Sequence, residues 1–247
     1  MILQSDMTVM HQGAVEIRLG DTAALEKQFS LHAEAIEGVW SQARRNNPSL
    51  FNGRLFCCVS VDATPDRAVV SGCFMDYKQY YASQVLADIP ALMPVAVSGM
   101  VLMNVRERPM TMLGRRHPST TTNAGWIELV PSGGLDDSCL ISGGIPDHRT
   151  MLLHELEEET GIEAGNVLHV KEFLLVLDHA VNTLDICMLL ELGQWEQREC
   201  FPKGNGEYTS LEILAVEAAA RRVRDEPSVP ASRAMLDAFT TSTRGSR

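Results

Sequence analysis

The chain has 247 residues, of which 45% are hydrophobic and 21% are charged, as expected for a globular protein with a buried core. Its net charge is −11, and no lysine- or arginine-rich run interrupts the acidic balance, which argues against nucleic acid or an anionic membrane as a partner. The six cysteines form no CxxC pair, the N-terminus lacks a signal-peptide pattern and no apolar run approaches the roughly 20 residues of a membrane span, so we expect a cytoplasmic protein.

Residues 1–92 predict a small α+β domain. Its expected elements are a strand over Ala14–Leu19, one long helix from Asp21 to just before Asn47, a hairpin of strands over 55–61 and 69–74, and a helix opening at 76–81. Three tyrosines in that last segment either line a pocket for a nucleotide base or form the edge of an amphipathic helix.

Residues 93–243 predict a second domain, which begins at a boundary near residue 92. The apolar run at 95–103 is typical of a strand that is buried on both faces. Further strands are expected at 110–113, 125–130, 167–177, 183–192 and 211–216, and further helices at 217–224 and 232–239. Residues 240–247 are expected to fray.

An acidic stretch, residues 154–162, has four glutamates within five positions and then a glycine. On a helix, Glu155, Glu158 and Glu159 share one face, while Glu157 points away. Folding gains nothing from this arrangement, because like charges repel and carboxylates near a helix C-terminus oppose its dipole. A bound hard cation such as Mg²⁺ or Mn²⁺ would make the arrangement favourable, since these ions take oxygen ligands. The alternative is a solvated acidic face.

The stretch Glu155-Leu156-x-Glu158-Glu159-x-Gly161-Ile162 matches the final EUxEExGU of the pattern Gx5Ex7REUxEExGU, in which U is aliphatic. That pattern is the signature of the Nudix hydrolases, which this chain therefore resembles. Its flanks are similar to the family's as well. These are Arg115-Arg116, Gly125-Trp126-Ile127-Glu128-Leu129, Pro131-Ser132-Gly133-Gly134 and Gly206-Glu207-Tyr208. The resemblance implies an α/β/α sandwich with a mixed sheet, preceded here by the small α+β domain.

The first half of the signature departs from the family pattern. Counted strictly, its first glycine falls on Leu140, its first glutamate on Pro146 and its arginine on His154. If Gly133-Gly134 are the family's glycine pair, the loop is six residues longer than usual. Three residues remain open as replacements for the missing glutamate, namely Asp136, Asp137 and Asp147. His154 lacks the permanently charged fork of an arginine, so its support of the loop is expected to be weaker.

The resemblance also implies roles for individual residues. The metal ligands would be Glu155, Glu158, Glu159, Glu207 and the carbonyl of Gly133, and the general base would be Glu158 or Glu159. Loop support would come from Gly134, His154 and Gly161. Arg115 and Arg116 are candidates for binding phosphate, but neighbours on a strand face opposite ways, so at most one is expected to do so. Trp126 and Phe51 are candidates for base stacking or, alternatively, for the core, and Glu207 is alternatively a surface turn residue.

The implied activity is Mg²⁺-dependent (or Mn²⁺-dependent) hydrolysis of a pyrophosphate bond in a nucleoside diphosphate linked to another group. Short motifs are similar to a subgroup that contains an animal UDP-glucose pyrophosphatase and a plant Nudix hydrolase, so a nucleotide sugar is one candidate substrate. Two alternatives remain: a non-catalytic nucleotide-binding module with a degenerate signature, and a prenyl diphosphate isomerase that would need Cys139. The sequence does not fix the oligomeric state, and a homodimer is one option.

Overall fold

The computed structural model describes residues 7–105, 107–120, 122–142, 144–193 and 206–245. The strands are β1 (Met7–Gln12), β2 (Ala14–Leu19), β3 (Arg54–Ala63), β4 (Arg67–Asp76), β5 (Met93–Val105), β6 (Arg108–Arg116), β7 (Ile127–Leu129), β8 (Ser132–Gly134), β9 (Leu140–Ile141), β10 (Ile145–Pro146), β11 (Val167–Asp178), β12 (Thr183–Leu192) and β13 (Tyr208–Ala215). The helices are α1 (Ala23–Leu31), α2 (Ala33–Asn46), α3 (Tyr77–Ser83), α4 (His148–Thr160), α5 (Val216–Asp225) and α6 (Pro230–Gly245).

One mixed sheet of 11 strands organises the chain, in the order β1-β11-β12-β5-β3-β4-β2, with β6, β7, β8 and β13 off this path. Strands β12 and β5 pair in parallel, as do β2 and β4, whereas the other pairs are antiparallel. The α/β class and the mixed sheet expected from the sequence are therefore confirmed. The sheet continues across residue 92, because β3 pairs with β5 and β1 pairs with β11. A domain boundary at that point stays a prediction.

The central strand β5 explains how helices come to cover both faces of the sheet. Its side chains alternate, so that Val97, Val101 and Met103 pack in the core that also contains residues of α4. Met100 and Leu102 point the other way and pack with α5 and α6. The run at 95–103 is thus buried on both faces, as its composition predicts. A third core holds the helices α1 to α3 against β3 and β4.

Two predicted helices differ from those observed. Instead of one helix before Asn47 there are two, α1 and α2, separated by His32, whose φ and ψ are −112° and 16°. The buried residues Phe29 and Ile36 lie seven positions apart, which suits a continuous helix equally well, so their spacing contains no signal for the break. At the other end α6 continues to Gly245 rather than fraying from residue 240, and the Thr240 hydroxyl donates to the Leu236 carbonyl at 2.7 Å.

Strand β1 was not predicted from the sequence, and the loop expected around Pro202 and Gly204 lies outside the described residues. Five cysteines are free and buried, as predicted for reduced thiols, namely Cys57, Cys58, Cys73, Cys139 and Cys187. Within the described ranges, no helix has the length and apolar character that a membrane crossing requires.

Helix α4 is fixed at both ends. Asp147 caps its first turn by accepting from the backbone N–H of Arg149 at 3.1 Å, and the helix ends at Gly161, whose φ of 70° favours glycine. The buried carboxylate of Glu172 on β11 accepts from Arg149 Nε at 2.6 Å and contacts His148 Nε2 at 3.0 Å. Burial raises the pKa of Glu172, but the hydrogen bonds from His148 and Arg149 outweigh it and lower the pKa to about 2.

We predict that Glu172→Gln lowers the free energy of unfolding by about 1–3 kcal/mol at neutral pH, because buried charged hydrogen bonds are lost. The pKa of Glu172 in the folded state lies below its ordinary value of 4.5. The stabilisation is therefore present above about pH 4.5 and is lost as the pH falls towards 2. Chemical denaturation across this range should show the difference from the wild type shrinking with acidification. Glu163→Gln, at an exposed position, is the control, and an equal effect of both variants would contradict the account.

Candidate active site

The glutamates of α4 occupy three different environments on one side of the helix. Glu159 is fully buried, Glu155 is half-buried and Glu158 is exposed, whereas Leu152 and Leu156 pack in the core below them. This gradient follows from the helical spacing, because the apolar arc fixes which carboxylates turn inwards. The acidic stretch is therefore not a uniformly solvated face.

Glu159 is held by two contacts. Its Oε2 accepts from the backbone N–H of Ser132 at 3.1 Å, and its Oε1 lies 3.0 Å from the hydroxyl of Tyr208. The same hydroxyl lies 2.9 Å from Oε1 of Glu128, which is only 2% exposed. A hydroxyl has one proton, so it donates to one carboxylate at a time. Burial raises the pKa of Glu159 to about 10, and the charge of Glu128 adds to the shift.

A single arginine side chain balances part of this charge. The guanidinium of Arg116 donates to Oε1 of Glu128 at 2.5 Å and to the carbonyl of Thr122 at 3.2 Å. Burial raises the pKa of Glu128, and Arg116 offsets part of that rise. Arg116 is therefore paired with Glu128.

Glu155 lies directly against the backbone of Gly133. A Cβ atom placed on Gly133 would come within 2.1 Å of the Glu155 Oε1, so only glycine permits this approach. Burial raises the pKa of Glu155 to about 8, and neighbouring carboxylates add to the effect. These are Glu207, Glu158 and Asp136. Glu207 thus lies within electrostatic reach of the helix, where the sequence resemblance would have it.

A cleft opens beside this cluster at the ends of β5, β8 and β12. We refer to it as the site cleft. It is lined by Tyr80, Ala96, Val97, Ser98, Arg116, Thr122, Asn123, Glu128, Ser132, Gly133, Gly134, Asp178, Val181, Thr183, Asp185, Glu207 and Val229. Glu155 and Glu159 contact its Ser132-Gly133 edge, so the signature helix, the glycine pair and Glu207 meet at one place.

The residues predicted to bind substrate separate into two groups. Arg116 lines the site cleft, whereas Arg115 turns to the opposite side, where it forms an ion pair with Glu226 and donates to the Gly125 carbonyl. At most one of the pair faces the cleft, as the strand geometry predicts. Trp126 is half-buried and does not line the cleft, and Phe51 is 81% exposed.

The lengthened loop before α4 folds into a short turn and a two-stranded hairpin, β9–β10. Pro146 is buried in that hairpin. Of the candidates to replace the missing glutamate, Asp147 caps α4, Asp137 is exposed, and Asp136 accepts from the backbone N–H of Ser138 at 2.8 Å while acting electrostatically on Glu155.

Two other residues, His154 and Cys139, concern the support of the loop and the alternative of an isomerase. His154 is exposed, and its side chain forms no hydrogen bond within the described part of the chain. The support of α4 comes instead from Glu172 with His148 and Arg149. Cys139 is fully buried away from the cleft, and burial raises the pKa of its thiol to about 11, which does not suit the reactive cysteine of an isomerase.

The lining residues that the sequence analysis missed include Ser98, Asp178 and Asp185. A signal was available for Asp185. It is a buried charged residue inside a mostly apolar strand, and such residues need a specific partner or a function.

The donor chemistry of the cluster fits a hard divalent cation, because its side-chain ligands are carboxylates. Glu128, Glu155 and Glu207 all raise the pKa of Glu159, as expected for acidic groups that lack sufficient compensating charge. In the part of the chain that the structure describes, no three acidic, histidine or cysteine side chains are gathered closely enough around one point to enclose a metal ion.

Comparison with known proteins gives structural matches only. No family model matches the chain, and no curated protein sequence does. The solved structures that match include a Nudix hydrolase from M. smegmatis, RenU, at 15% identity and a TM-score of 0.44, over 61% of this chain and 85% of that one. The Nudix domain of Shewanella oneidensis NrtR, complexed with ADP ribose, matches at 13% identity and a TM-score of 0.47, over 68% and 99%.

A C. elegans Ap4A hydrolase matches at 13% identity and a TM-score of 0.43, over 61% of this chain and 98% of that one. The resemblance of this chain to the Nudix hydrolases is carried by residues 155–162. With identities this low and TM-scores below 0.5, the matches assign neither an activity nor a substrate to this Nudix-like chain.

We predict that Gly133→Ala displaces Glu155 while leaving the fold intact, because the added Cβ meets a flexible side chain rather than backbone. The free energy of unfolding should change by less than about 1 kcal/mol. Mn²⁺ affinity, measured by titration calorimetry, should fall roughly tenfold or more. Gly165→Ala is the control, since nothing lies within 4 Å of its Cβ position. Equal Mn²⁺ affinity in the two variants would count against a role for Glu155.

Proposed function

We propose that this protein hydrolyses a pyrophosphate bond in a nucleoside diphosphate linked to another group, in a reaction that depends on Mg²⁺ or Mn²⁺. The observation that carries the proposal is the meeting of Glu155 and Glu159 with the Ser132-Gly133 edge of the site cleft, beside Glu207. Two segments of the Nudix-like pattern that are far apart in sequence come together there. A nucleotide sugar is the substrate that the sequence motifs favour.

The charge balance supports a cation in this reaction. The cleft and its edge carry several carboxylates, whereas Arg116, the one arginine among the described residues that line the cleft, is already paired with Glu128. A diphosphate is itself anionic, so it cannot enter such a site without positive charge to offset it. When bound, Mg²⁺ would neutralise the diphosphate oxygens and lower the pKa of a coordinated water.

The protein's own carboxylates have two proposed roles, as metal ligands and as the general base. Glu155, Glu158, Glu159 and Glu207, with the carbonyl of Gly133, are the proposed ligands. Glu158 is exposed on the same helix face and is our preferred general base, because it is free to reach a water molecule. Glu159, whose two oxygens are already hydrogen-bonded, is the better candidate for a fixed ligand.

A second function is favoured by one observation and is kept as the alternative. The exposed side chain of His154 forms no hydrogen bond in the described residues, and Pro146 is buried in the inserted hairpin, so neither supports the signature loop as its family counterpart would. A non-catalytic module that binds nucleotides would tolerate these changes. Such a module should bind nucleotide without cleaving it.

The test is a substrate panel of UDP-sugars, ADP-ribose, dinucleoside polyphosphates and coenzyme A, assayed with Mg²⁺ and with a chelator. We expect Mg²⁺-dependent release of a nucleoside monophosphate from at least one of them. Glu158→Gln should lower kcat by about 10²–10⁴-fold, the range for the loss of a general base.

Glu157→Gln is the matched control, because Glu157 lies on the same helix, is exposed and points away from the cluster. It should hydrolyse the substrate as the wild type does. Nucleotide binding without turnover of any compound would overturn the proposed hydrolase and favour the binding module.

A further inference from the structure

The far side of the site cleft has a second acidic pair, which the proposed reaction does not use. Asp178 at the end of β11 and Asp185 on β12 both line the cleft, and they are 5% and 9% exposed. Strand register puts Asp185 opposite Val176 and Ala96, so Asp178 and Ser98 are its diagonal neighbours on the same face of the sheet. Further along these strands, the residues on the same face of the sheet are apolar and pack under α5 and α6.

In each of these carboxylates one oxygen is bound by a protein donor and the other is open to the cleft. Oδ1 of Asp185 accepts from the Ser98 hydroxyl at 3.1 Å, and Oδ1 of Asp178 accepts from the backbone N–H of Ala180 at 2.9 Å. Neither Oδ2 is among the described atoms that are enclosed without a hydrogen-bond partner, so both can reach a molecule in the cleft. Among the described residues, no arginine or lysine pairs with either carboxylate, and a largely buried carboxylate without a counter-ion is costly to keep ionised.

The pKa of Asp185 reflects this cost. Burial raises its pKa to about 7; the bond from Ser98 opposes the shift, and the charge of Asp178 adds to it. An apolar residue at this position of an apolar strand would avoid the penalty. Stability therefore does not account for the pair, but a ligand that donates hydrogen bonds would.

An aromatic side chain lies on the same cleft. Tyr80, on α3, lines it together with Val97 and Val181. Its ring is half-buried and packs against the ring of Tyr77, with a centroid separation of 5.9 Å. Acceptors beside an aromatic face form the combination that binds a sugar or a base, because such groups have apolar faces and polar edges.

We propose that Asp178 and Asp185, with Tyr80 beside them, form a subsite for the group attached to the diphosphate, which they bind through its N–H or O–H donors. This assignment rests on the proposed function for the position of the diphosphate. The diphosphate itself cannot occupy this wall, because two buried carboxylates repel it. Two groups share the required chemistry: the hydroxyls of a sugar, and the N–H edge of a nucleobase with its ribose.

The experiment measures product binding, which needs no turnover. Calorimetry with Mg²⁺ present compares the affinities of GMP, UMP, glucose 1-phosphate and inorganic phosphate for the wild type, Asp185→Asn and Tyr80→Leu. Asp185→Asn should weaken the binding of one organic phosphate class roughly tenfold to a hundredfold, the range for a hydrogen bond to a charged group. Inorganic phosphate, which lacks the recognised group, should bind the wild type and the variant alike.

The ligands whose binding to the variants is weakened identify the group that donates the hydrogen bonds. Weaker binding of glucose 1-phosphate indicates a sugar subsite, and weaker binding of GMP or UMP indicates a nucleoside subsite. Asp66→Asn, at an exposed position on the β3–β4 turn, is the control and should match the wild type. If Asp185→Asn does not fold, Asp178→Asn replaces it, because this change leaves the bond between Ser98 and Asp185 intact.

Affinities that agree within twofold between the wild type and the aspartate variants would overturn the subsite, as would wild-type protein that binds none of the organic phosphates. These outcomes differ from a failure of the proposed hydrolase. A protein that hydrolyses nothing but loses product affinity in Asp185→Asn retains the subsite and rejects only the reaction.

Discussion

The candidate site depends on two buried glutamates, Glu128 and Glu159, that approach one tyrosine hydroxyl at 2.9 and 3.0 Å. Tyr208 supplies one proton and Arg116 supplies one positive charge, so the group is short of neutralising charge whenever both carboxylates are ionised. The pKa values of both carboxyls are raised by burial, as this shortage of positive charge requires. A divalent cation at the cleft edge would relieve the shortage. In the proposed function, the arrangement that costs stability in the free protein would be the one that gives a cation its binding energy.

The rest of the structure keeps α4 in register with this group. Glu172 fixes the N-terminal turn of the helix through Arg149, and Glu159 fixes its last turn through the backbone of Ser132. Between these two points Glu155 lies against Gly133, where the absence of a Cβ leaves room for it. The loop that precedes α4 folds into the β9–β10 hairpin, which ends ahead of the helix cap at Asp147.

Much of this organisation was predictable from periodicity and local signals. The apolar run at 95–103, the strands at 167–177 and 183–192 and the end of α4 at Gly161 are all local features, and the structure has them. The break at His32 was not predictable, because Phe29 and Ile36 suit one helix as well as two. The cleft wall formed by Ser98, Asp178 and Asp185 also escaped prediction, since it depends on the parallel pairing of β5 with β12 across almost ninety residues of sequence. Local patterns contain no information about which distant strands will pair.

The central claim is that the acidic cluster lowers the free energy of unfolding without a cation and raises it when a cation is bound. The most direct test is the free energy of unfolding of the wild type and of Glu155→Gln, each measured with a chelator and with saturating Mg²⁺. With the chelator, Glu155→Gln should be at least as stable as the wild type, because it removes one of the mutually repelling carboxylates. With Mg²⁺ the order should reverse, because only the wild type gains the full stabilisation of a bound ligand. An effect of Mg²⁺ that is absent, or equal in the two proteins, would contradict the claim.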